Sequence, residues 1–205
     1  MEEPVTADRH AQIVRAAREV FSQEGYTKAS IKKIAAEAGL NSTALIYWYF
    51  ANKAALLKAV LSEASLLIQE INNNPALKDM EPQDAFTVIG EKVIDSFNNP
   101  GNKNIFRILI SESLINPEVS DYYVETIIQP VMDFLVPYIQ CQIDAGIFRP
   151  HDPHISTRSF LGTLIQYIFT SYLFPQLRQN QPEAKEYIRE VVRIFIKGLG
   201  LNPEV

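Results

Sequence analysis

The sequence is poor in cysteine and has no long apolar run, and each shortage excludes a class of protein. Its 205 residues include one cysteine, Cys141, which excludes an internal disulfide framework and a cysteine-based zinc site. A membrane span needs about 18 apolar residues, and the most apolar stretch, residues 160–174, is interrupted by polar side chains. The N-terminus lacks a basic and then apolar signal pattern. We therefore expect a cytoplasmic protein with no membrane association.

The sequence also lacks the short motifs that carry enzyme chemistry. A glycine-rich phosphate loop, a nucleophile elbow and the HExxH zinc pattern are all missing. His151 and His154 flank Asp152-Pro153, and the first turn of a helix explains this group better than a metal site does. We accordingly predict no enzyme activity, no cofactor and no metal.

Helical periodicity is present along almost the whole chain. Apolar residues recur at helical spacing, and no alternating segment is flanked by hairpin turns. We predict an all-α fold of about nine helices, with a three-helix domain at residues 1–58 and a larger helical domain at residues 59–205. Besides the helices of the motif described next, we expect helices at about residues 7–24, 52–71, 82–97, 105–114, 119–145, 153–173 and 182–199, with Pro130 and Pro137 kinking or breaking the longest.

The segment SIKKIAAEAGLNSTALIYWYF has the pattern of a helix-turn-helix at about residues 31–50. Ser30 is the candidate N-cap of a short amphipathic helix that ends at Gly39, and a second short helix follows. In this motif the second helix enters the major groove of DNA, where side chains near its start reach base edges. Four consecutive aromatic residues cannot all point inward on a helix, so we expect Tyr47 and Trp48 to be exposed and available to a partner.

Nine residues in and around the motif are the predicted DNA contacts. Short side chains at the start of the second helix would meet base edges, and the aromatic side chains would reach phosphates or thymine methyls. Lys53 would hold a phosphate at the start of the next helix. Lys32 is equally consistent with phosphate contact and with a merely solvated position. The predicted contacts are Ser30, Lys32, Ser42, Thr43, Ala44, Tyr47, Trp48, Tyr49 and Lys53.

The charge distribution agrees with an interaction with DNA. The net charge is −5, but residues 9–58 carry a balance of +5 and residues 59–205 a balance of −7. A basic end on an acidic body orients the molecule on a polyanion. The alternative is a helical adaptor that binds protein without DNA specificity, and an absent or salt-insensitive mobility shift on DNA would favour it.

Residues 9–58 resemble the DNA-binding domain of the tetracycline-repressor (TetR) family of transcriptional regulators. The resemblance is carried by a helix ending in FSQEGY, the segment ASIKKIAAEAGL, the YWYF close and a lysine three residues later. The spacing from the AG of the turn to the YF of the close is one residue longer than usual, which leaves the register of the base contacts open by one position. The resemblance implies a homodimer on a palindromic operator, usually a repressor that a small molecule releases.

The last two predicted helices of the C-terminal domain favour dimerisation. Residues 160–174 are apolar nearly all round, and the final helix has a wide apolar stripe, so two such helices from each subunit would form a four-helix interface. Burial inside one subunit is the other explanation. The predicted interface residues are Leu161, Ile165, Ile168, Tyr172, Ile188, Val191 and Phe195.

The remaining helices of this domain would hold the effector. A pocket there would combine apolar walls with a few polar groups, which favours an apolar or amphipathic small molecule. Glu112 stands in an apolar stretch, where it would line the pocket or pair with Arg107 or Arg158. The predicted lining is Phe86, Phe106, Leu109, Glu112, Tyr123, Tyr138, Cys141 and Tyr167, with an ordinary core position as the commoner role of such residues.

Overall fold

The chain folds almost wholly into α-helices, which confirms the predicted fold class; the structure, a computed structural model, describes residues 3–200. A π-helical segment, Val124–Ile128, and a 3₁₀ helix, Pro175–Asn180, lie between α-helices of the C-terminal half. None of the helices within that range has the length and apolar character required to cross a bilayer. The α-helices are α1 Glu3–Glu24, α2 Ile31–Glu37, α3 Ala44–Tyr49, α4 Lys53–Asn72, α5 Pro75–Asp79, α6 Pro82–Ser96, α7 Pro100–Glu112, α8 Pro117–Tyr123, α9 Gln129–Asp144, α10 Pro153–Leu173 and α11 Ala184–Leu199.

Local signals in the sequence account for most helix ends. Ser30 Oγ accepts a hydrogen bond from the Lys33 N–H at 3.3 Å, and Asn52 Oδ1 accepts one from the Ala55 N–H at 2.8 Å. These side chains cap α2 and α4 by satisfying N–H groups that have no partner inside the helix. Gly25 follows α1 with a φ of +81°, a conformation that glycine adopts without strain.

Capping asparagines also begin two helices that the sequence analysis placed wrongly or missed. Asn99 Oδ1 accepts a hydrogen bond from the Gly101 N–H at 2.8 Å, so α7 begins at Pro100 instead of near residue 105. Asn74 begins the unpredicted helix α5 in the same way. In both helices a proline occupies the first turn, where its missing N–H removes no helical hydrogen bond.

The predicted long helix at residues 119–145 is divided into α8, the π-helical segment and α9. The division ends just before Pro130, whose ring nitrogen cannot donate the hydrogen bond that would continue an α-helix. Pro137 lies inside α9 without ending it. The predicted break is therefore found at the first proline and not at the second.

The chain packs into two compact units. The first unit consists of Met1–Leu66 and Asn99–Ile128, and the second consists of Leu67–Asn98 and Gln129–Val205. In the first unit, Ile105, Ile108 and Leu109 of α7 belong to the same buried core as the apolar faces of α1, α2, α3 and the start of α4. Packing thus places α7 and α8 with the helix-turn-helix, although they lie outside the predicted domain at residues 1–58.

An aromatic cluster lies at the centre of the second unit. The fully buried ring of Phe86 on α6 is 4.8 Å from that of Phe160 and 4.9 Å from that of Phe195, between ring centres. Tyr138 of α9 completes the cluster at 6.0 Å from Phe86. Phe86 is therefore a core residue, which corrects its predicted place in the effector pocket, because neighbouring rings surround it.

Candidate nucleic-acid interface and effector cavity

The predicted recognition helix, α3, exposes two of its aromatic side chains. Ile46 and Phe50 are buried and attach the helix to the core of the first unit. Tyr47 and Trp48 are 54% and 69% exposed, which confirms the expectation that both face outward. Two large aromatic side chains on a short, well-anchored helix form a surface suited to binding a partner.

The residues before α3 carry the hydroxyl groups predicted to meet DNA. Ser42 Oγ accepts a hydrogen bond from the Ala44 N–H at 3.1 Å, which leaves its own O–H proton able to donate. The Thr43 carbonyl accepts the N–H groups of Ile46 and Tyr47, so helical bonding begins there. The long turn between α2 and α3 thus ends with two hydroxyl groups beside the exposed aromatic face.

Helix α1 supports the motif through contacts that the sequence analysis missed. Gln12 Nε2 donates a hydrogen bond to the Ala38 carbonyl, at 2.7 Å, at the end of α2. The His10 ring lies 4.8 Å from that of Phe50 and 6.0 Å from that of Tyr49. These partners are far apart in the chain, so no local pattern indicated them.

The basic side chains of the motif have different surroundings. Lys33 forms an ion pair with Glu24 at 2.6 Å, and Lys32 is exposed on the same helix. Lys53 Nζ donates to the carbonyl oxygens of Tyr26, Ala29 and Thr27 at 2.8, 3.0 and 3.4 Å. These acceptors match the three N–H donors of an ammonium group. The predicted Lys53–phosphate contact stays a prediction, but the structure gives Lys53 a role in holding the turn after α1.

The same turn is held from its other side by Glu112 of α7. The buried Glu112 accepts the Tyr26 N–H at Oε1, at 2.7 Å, and its other carboxylate oxygen accepts Asn116 Nδ2. A Cβ on Gly25 would lie 3.2 Å from Oε1, so a glycine suits this close approach as well as the positive φ. This position corrects the predicted pocket role of Glu112, because both oxygens already bind donors of the first unit.

Tyr26 is therefore bound through both of its backbone groups by oppositely charged side chains. Glu112 accepts its N–H, while Lys53 binds its carbonyl and lies 4.5 Å from the centre of its ring. We call Tyr26, Lys53 and Glu112 the Tyr26 clamp. It attaches the turn that precedes the helix-turn-helix to α4 and α7.

The second unit contains a cavity of about 400 Å³ beside α9. Tyr138 and Cys141, two residues of the predicted effector pocket, line it together with Phe134. The Phe134 and Tyr138 rings are nearly parallel, with centres 6.3 Å apart. The Tyr138 hydroxyl donates to the Met80 carbonyl at 2.8 Å, and burial raises the pKa of Tyr138 to about 12. The cavity thus has an aromatic wall whose hydroxyl stays protonated.

Asn72, the last residue of α4, also lines this cavity and has a buried unpaired oxygen. Its Nδ2 donates to the Pro130 carbonyl at 3.1 Å, whereas its buried Oδ1 has no hydrogen-bond partner among the residues that the structure describes. A buried acceptor without a partner costs about 1–3 kcal/mol. A second, nearly apolar cavity of about 20 Å³ shares Asn72 and Phe134 with the larger one.

The other predicted pocket residues lie elsewhere. Phe106, Leu109 and Tyr123 belong to the first unit, and Leu109 is part of its core. The Tyr167 hydroxyl donates to the Pro182 carbonyl at 3.0 Å. Of the predicted set, Tyr138 and Cys141 line the cavity beside α9.

The turn at His151 and Asp152 has the helix-capping role that the sequence favoured. Asp152 Oδ1 accepts the His154 N–H at 2.8 Å and so caps α10. The His151 ring nitrogens lie 2.8 Å from the Arg149 carbonyl and 2.9 Å from Ser156 Oγ. Hydrogen bonding within the turn explains the placement of these residues.

Comparison with known proteins identifies the family. The profile described as "Bacterial regulatory proteins, tetR family" matches residues 13–60, and that described as "AefR-like transcriptional repressor, C-terminal domain" matches residues 84–198. The chain belongs to the tetR family. It is a DNA-binding transcriptional regulator of the ligand-controlled repressor class, and the resemblance found in the sequence is confirmed.

Similar individual proteins agree with this membership. The HTH-type transcriptional regulator SrpR of Pseudomonas putida is 30% identical over 85% of this chain and 78% of its own length. The SmeT–triclosan complex aligns with a TM-score of 0.76 and 19% identity over 96% of this chain and 93% of SmeT. FadR of Bacillus subtilis in complex with stearoyl-CoA aligns with a TM-score of 0.72 and 20% identity over 92% of this chain and 98% of FadR. At these identities the two structures show the fold alone.

The predicted dimer residues of this tetR-family chain are divided between core and surface. Ile168 and Ile188, each 2% exposed, are buried by their own subunit, which corrects their predicted place in an interface. Leu161 lines the small cavity, and the Phe195 ring joins the aromatic cluster. Ile165 is 39% exposed on α10, while Tyr172 and Val191 are half-buried. The structure adds Ile155 and Ile194 as exposed apolar residues of α10 and α11.

Proposed function

We propose that this chain acts in the cytoplasm as a homodimeric repressor that binds a palindromic operator through α3 and releases it when a small effector binds. The exposed face of Tyr47 and Trp48 carries the DNA part of the proposal. Ser42 and Thr43 precede this face and are assigned to base edges, and Tyr47 is assigned to a phosphate. Ser30, the N-cap of α2, and Lys32 of α2 complete the proposed contact surface with Ala44 and Tyr49 of α3.

We expect Thr43→Val to change which operator sequence is preferred, because it removes a hydroxyl while keeping the side-chain shape. Loss of one base contact should alter discrimination at that base pair by about 1–3 kcal/mol. Binding to a set of single-base operator variants measures the change, and the matched control is Thr87→Val in the second unit. An unchanged ranking of operator variants would remove Thr43 from the base-reading set.

The dimer proposal rests on the exposed apolar side chains of α10 and α11, which include Ile155, Ile165 and Ile194. Ile165→Glu should abolish the dimer at micromolar concentration, because a charge there would be desolvated in the interface. Operator affinity should fall with it, since each palindrome needs two recognition helices. Sedimentation is the measurement, and Ile115→Glu, at an exposed position of the first unit, is the control. A monomeric wild-type chain would refute the proposal.

The effector proposal rests on the cavity that Asn72, Phe134 and Tyr138 line. A ligand that stacks on Phe134 or Tyr138 and donates a hydrogen bond to Asn72 would satisfy the buried acceptor. The proposed effector is therefore an apolar or amphipathic molecule with an aromatic ring and one donor group. The structural neighbour SmeT was solved as a complex with triclosan, an aromatic compound with one hydroxyl group, and this supports the proposal.

Triclosan is the probe we would use for this cavity. If triclosan is an inducer, it lowers the affinity of the protein for the operator by some factor. Operator DNA must then lower the affinity of the protein for triclosan by the same factor. Calorimetry with and without operator measures that factor. Asn72→Leu should weaken triclosan binding about tenfold or more, the loss expected for a hydrogen bond to a buried group, whereas Asn73→Leu should not. Equal affinities with and without operator would show that the compound does not induce.

A further inference from the structure

The first unit contains a cavity of about 180 Å³ that shares no lining residue with the effector cavity of the second unit. Its walls come from α4, from α8 and from the turn after α1. The lining residues that matter here are Tyr26, Leu57, Lys58, Leu61, Glu118 and Tyr122. The cavity therefore adjoins the Tyr26 clamp.

Its size and walls suit one aromatic ring. An engineered protein cavity of about 150 Å³ with apolar walls binds benzene, and this cavity is slightly larger. Leu57 and Leu61 provide aliphatic surface, and Tyr26 and Tyr122 provide aromatic surface. A single ring with one small substituent fits this space.

Its charged groups select the substituent. Lys58 and Glu118 both line the cavity, and Lys58 Nζ lies 5.9 Å from the centre of the Tyr122 ring. An anionic ligand would meet the Glu118 carboxylate, and a cationic ligand would meet the Lys58 ammonium. A hydroxyl donates to a carboxylate and accepts from an ammonium, so it is compatible with both groups. We propose that this cavity is a second small-molecule site, which binds an uncharged single-ring aromatic alcohol.

Occupancy of this site acts on the clamp through shared residues. Tyr26 lines the cavity, and so does Asn116, whose side chain donates to Glu112. A ligand that binds the folded unit and not the unfolded chain stabilises the fold by mass action. Ligand binding therefore stabilises the turn that precedes the helix-turn-helix. Binding is measured without DNA, so its outcome is independent of the proposed repressor function.

The first experiment titrates the intact chain with phenol, benzoate and benzylamine in a calorimeter and follows methyl resonances by NMR. Phenol should bind at least about tenfold more tightly than either charged analogue, a difference of about 1.4 kcal/mol. The methyl signals of Leu57, Leu61 and Val119 should move. Equal binding of the three compounds, or movement confined to methyl groups of the second unit such as Leu161, would overturn the proposal.

Three variants locate the site. Ala54 and Ala55 are neighbours on α4 and both half-buried, but only Ala54 is among the residues that line the cavity. Ala54→Leu should weaken phenol binding at least about tenfold by filling the space, while Ala55→Leu should change it less than about twofold. Glu118→Gln, at an exposed position, should improve benzoate binding by removing the repelling charge. Equal losses in both alanine variants, or no gain for benzoate, would contradict the assignment.

Discussion

Glu112→Leu should lower the free energy of unfolding by about 1–3 kcal/mol, the cost of leaving a buried donor unpaired. The donor at risk is the Tyr26 N–H, which Glu112 accepts at 2.7 Å. Glu112→Gln keeps an acceptor oxygen of the same shape and should retain most of the stability. Urea unfolding of the intact chain measures the difference, with Glu125→Leu as an exposed control expected to change it by less than about 0.5 kcal/mol.

Loss of the hydrogen bond between Glu112 and Tyr26 should also weaken operator binding. Because Glu112 touches the turn and not the DNA, its leucine variant should bind the operator more weakly while the salt dependence of binding stays unchanged. A leucine variant with wild-type stability and wild-type affinity would show that Tyr26 needs no acceptor from α7.

Lys53→Met should also destabilise the first unit, by about 1.5–3 kcal/mol, because hydrogen bonds to a charged donor are lost from three carbonyl groups. The sequence motif and the observed hydrogen bonds of Lys53 lead to different predictions for the salt dependence of operator binding in this variant. If Lys53 contacts a phosphate, its replacement should lower the salt slope by about one unit. If Lys53 only holds the clamp, its replacement should lower operator affinity and leave the slope unchanged. From the hydrogen bonds of Lys53 to Tyr26, Thr27 and Ala29 we expect the unchanged slope.

Lys32→Met is the matched comparison for this measurement. Lys32 is exposed on α2, so its replacement should leave the free energy of unfolding within about 0.5 kcal/mol of the wild type. If Lys32 contacts a phosphate, the salt slope falls by about one unit in this variant. A slope that falls in Lys53→Met, with stability intact, would restore the phosphate role of Lys53.

The sequence predicted the exposed site better than the buried ones. Tyr47 and Trp48 were expected outside because adjacent aromatic residues on a helix cannot share one buried face, and both are exposed. Glu112 was expected to line an effector pocket or to pair with Arg107 or Arg158. Its observed partner, the Tyr26 N–H, lies 86 residues away, and no local pattern indicated it.

The candidate effector cavity likewise shows that buried contacts are hard to predict from the sequence. Tyr138 and Cys141, two of the predicted pocket residues, line it, yet Asn72, the last residue of α4, was not singled out from the sequence. Its buried Oδ1 became visible once the position of the Pro130 carbonyl and the surrounding apolar residues was known. Composition alone does not distinguish a turn-forming asparagine from one that lines a cavity.

By itself the sequence determined the all-α class, the helix-turn-helix, its capping residues and the family. Those features depend on residues within one or two helical turns of each other, where spacing fixes geometry. The tertiary structure decided that α7 and α8 pack with the helix-turn-helix, that Lys53 and Glu112 bind the same tyrosine, and which apolar residues of α10 and α11 stay exposed. These outcomes depend on how helices pack against one another. The spacing of residues along the chain does not identify which side chain on another helix will be a hydrogen-bond partner.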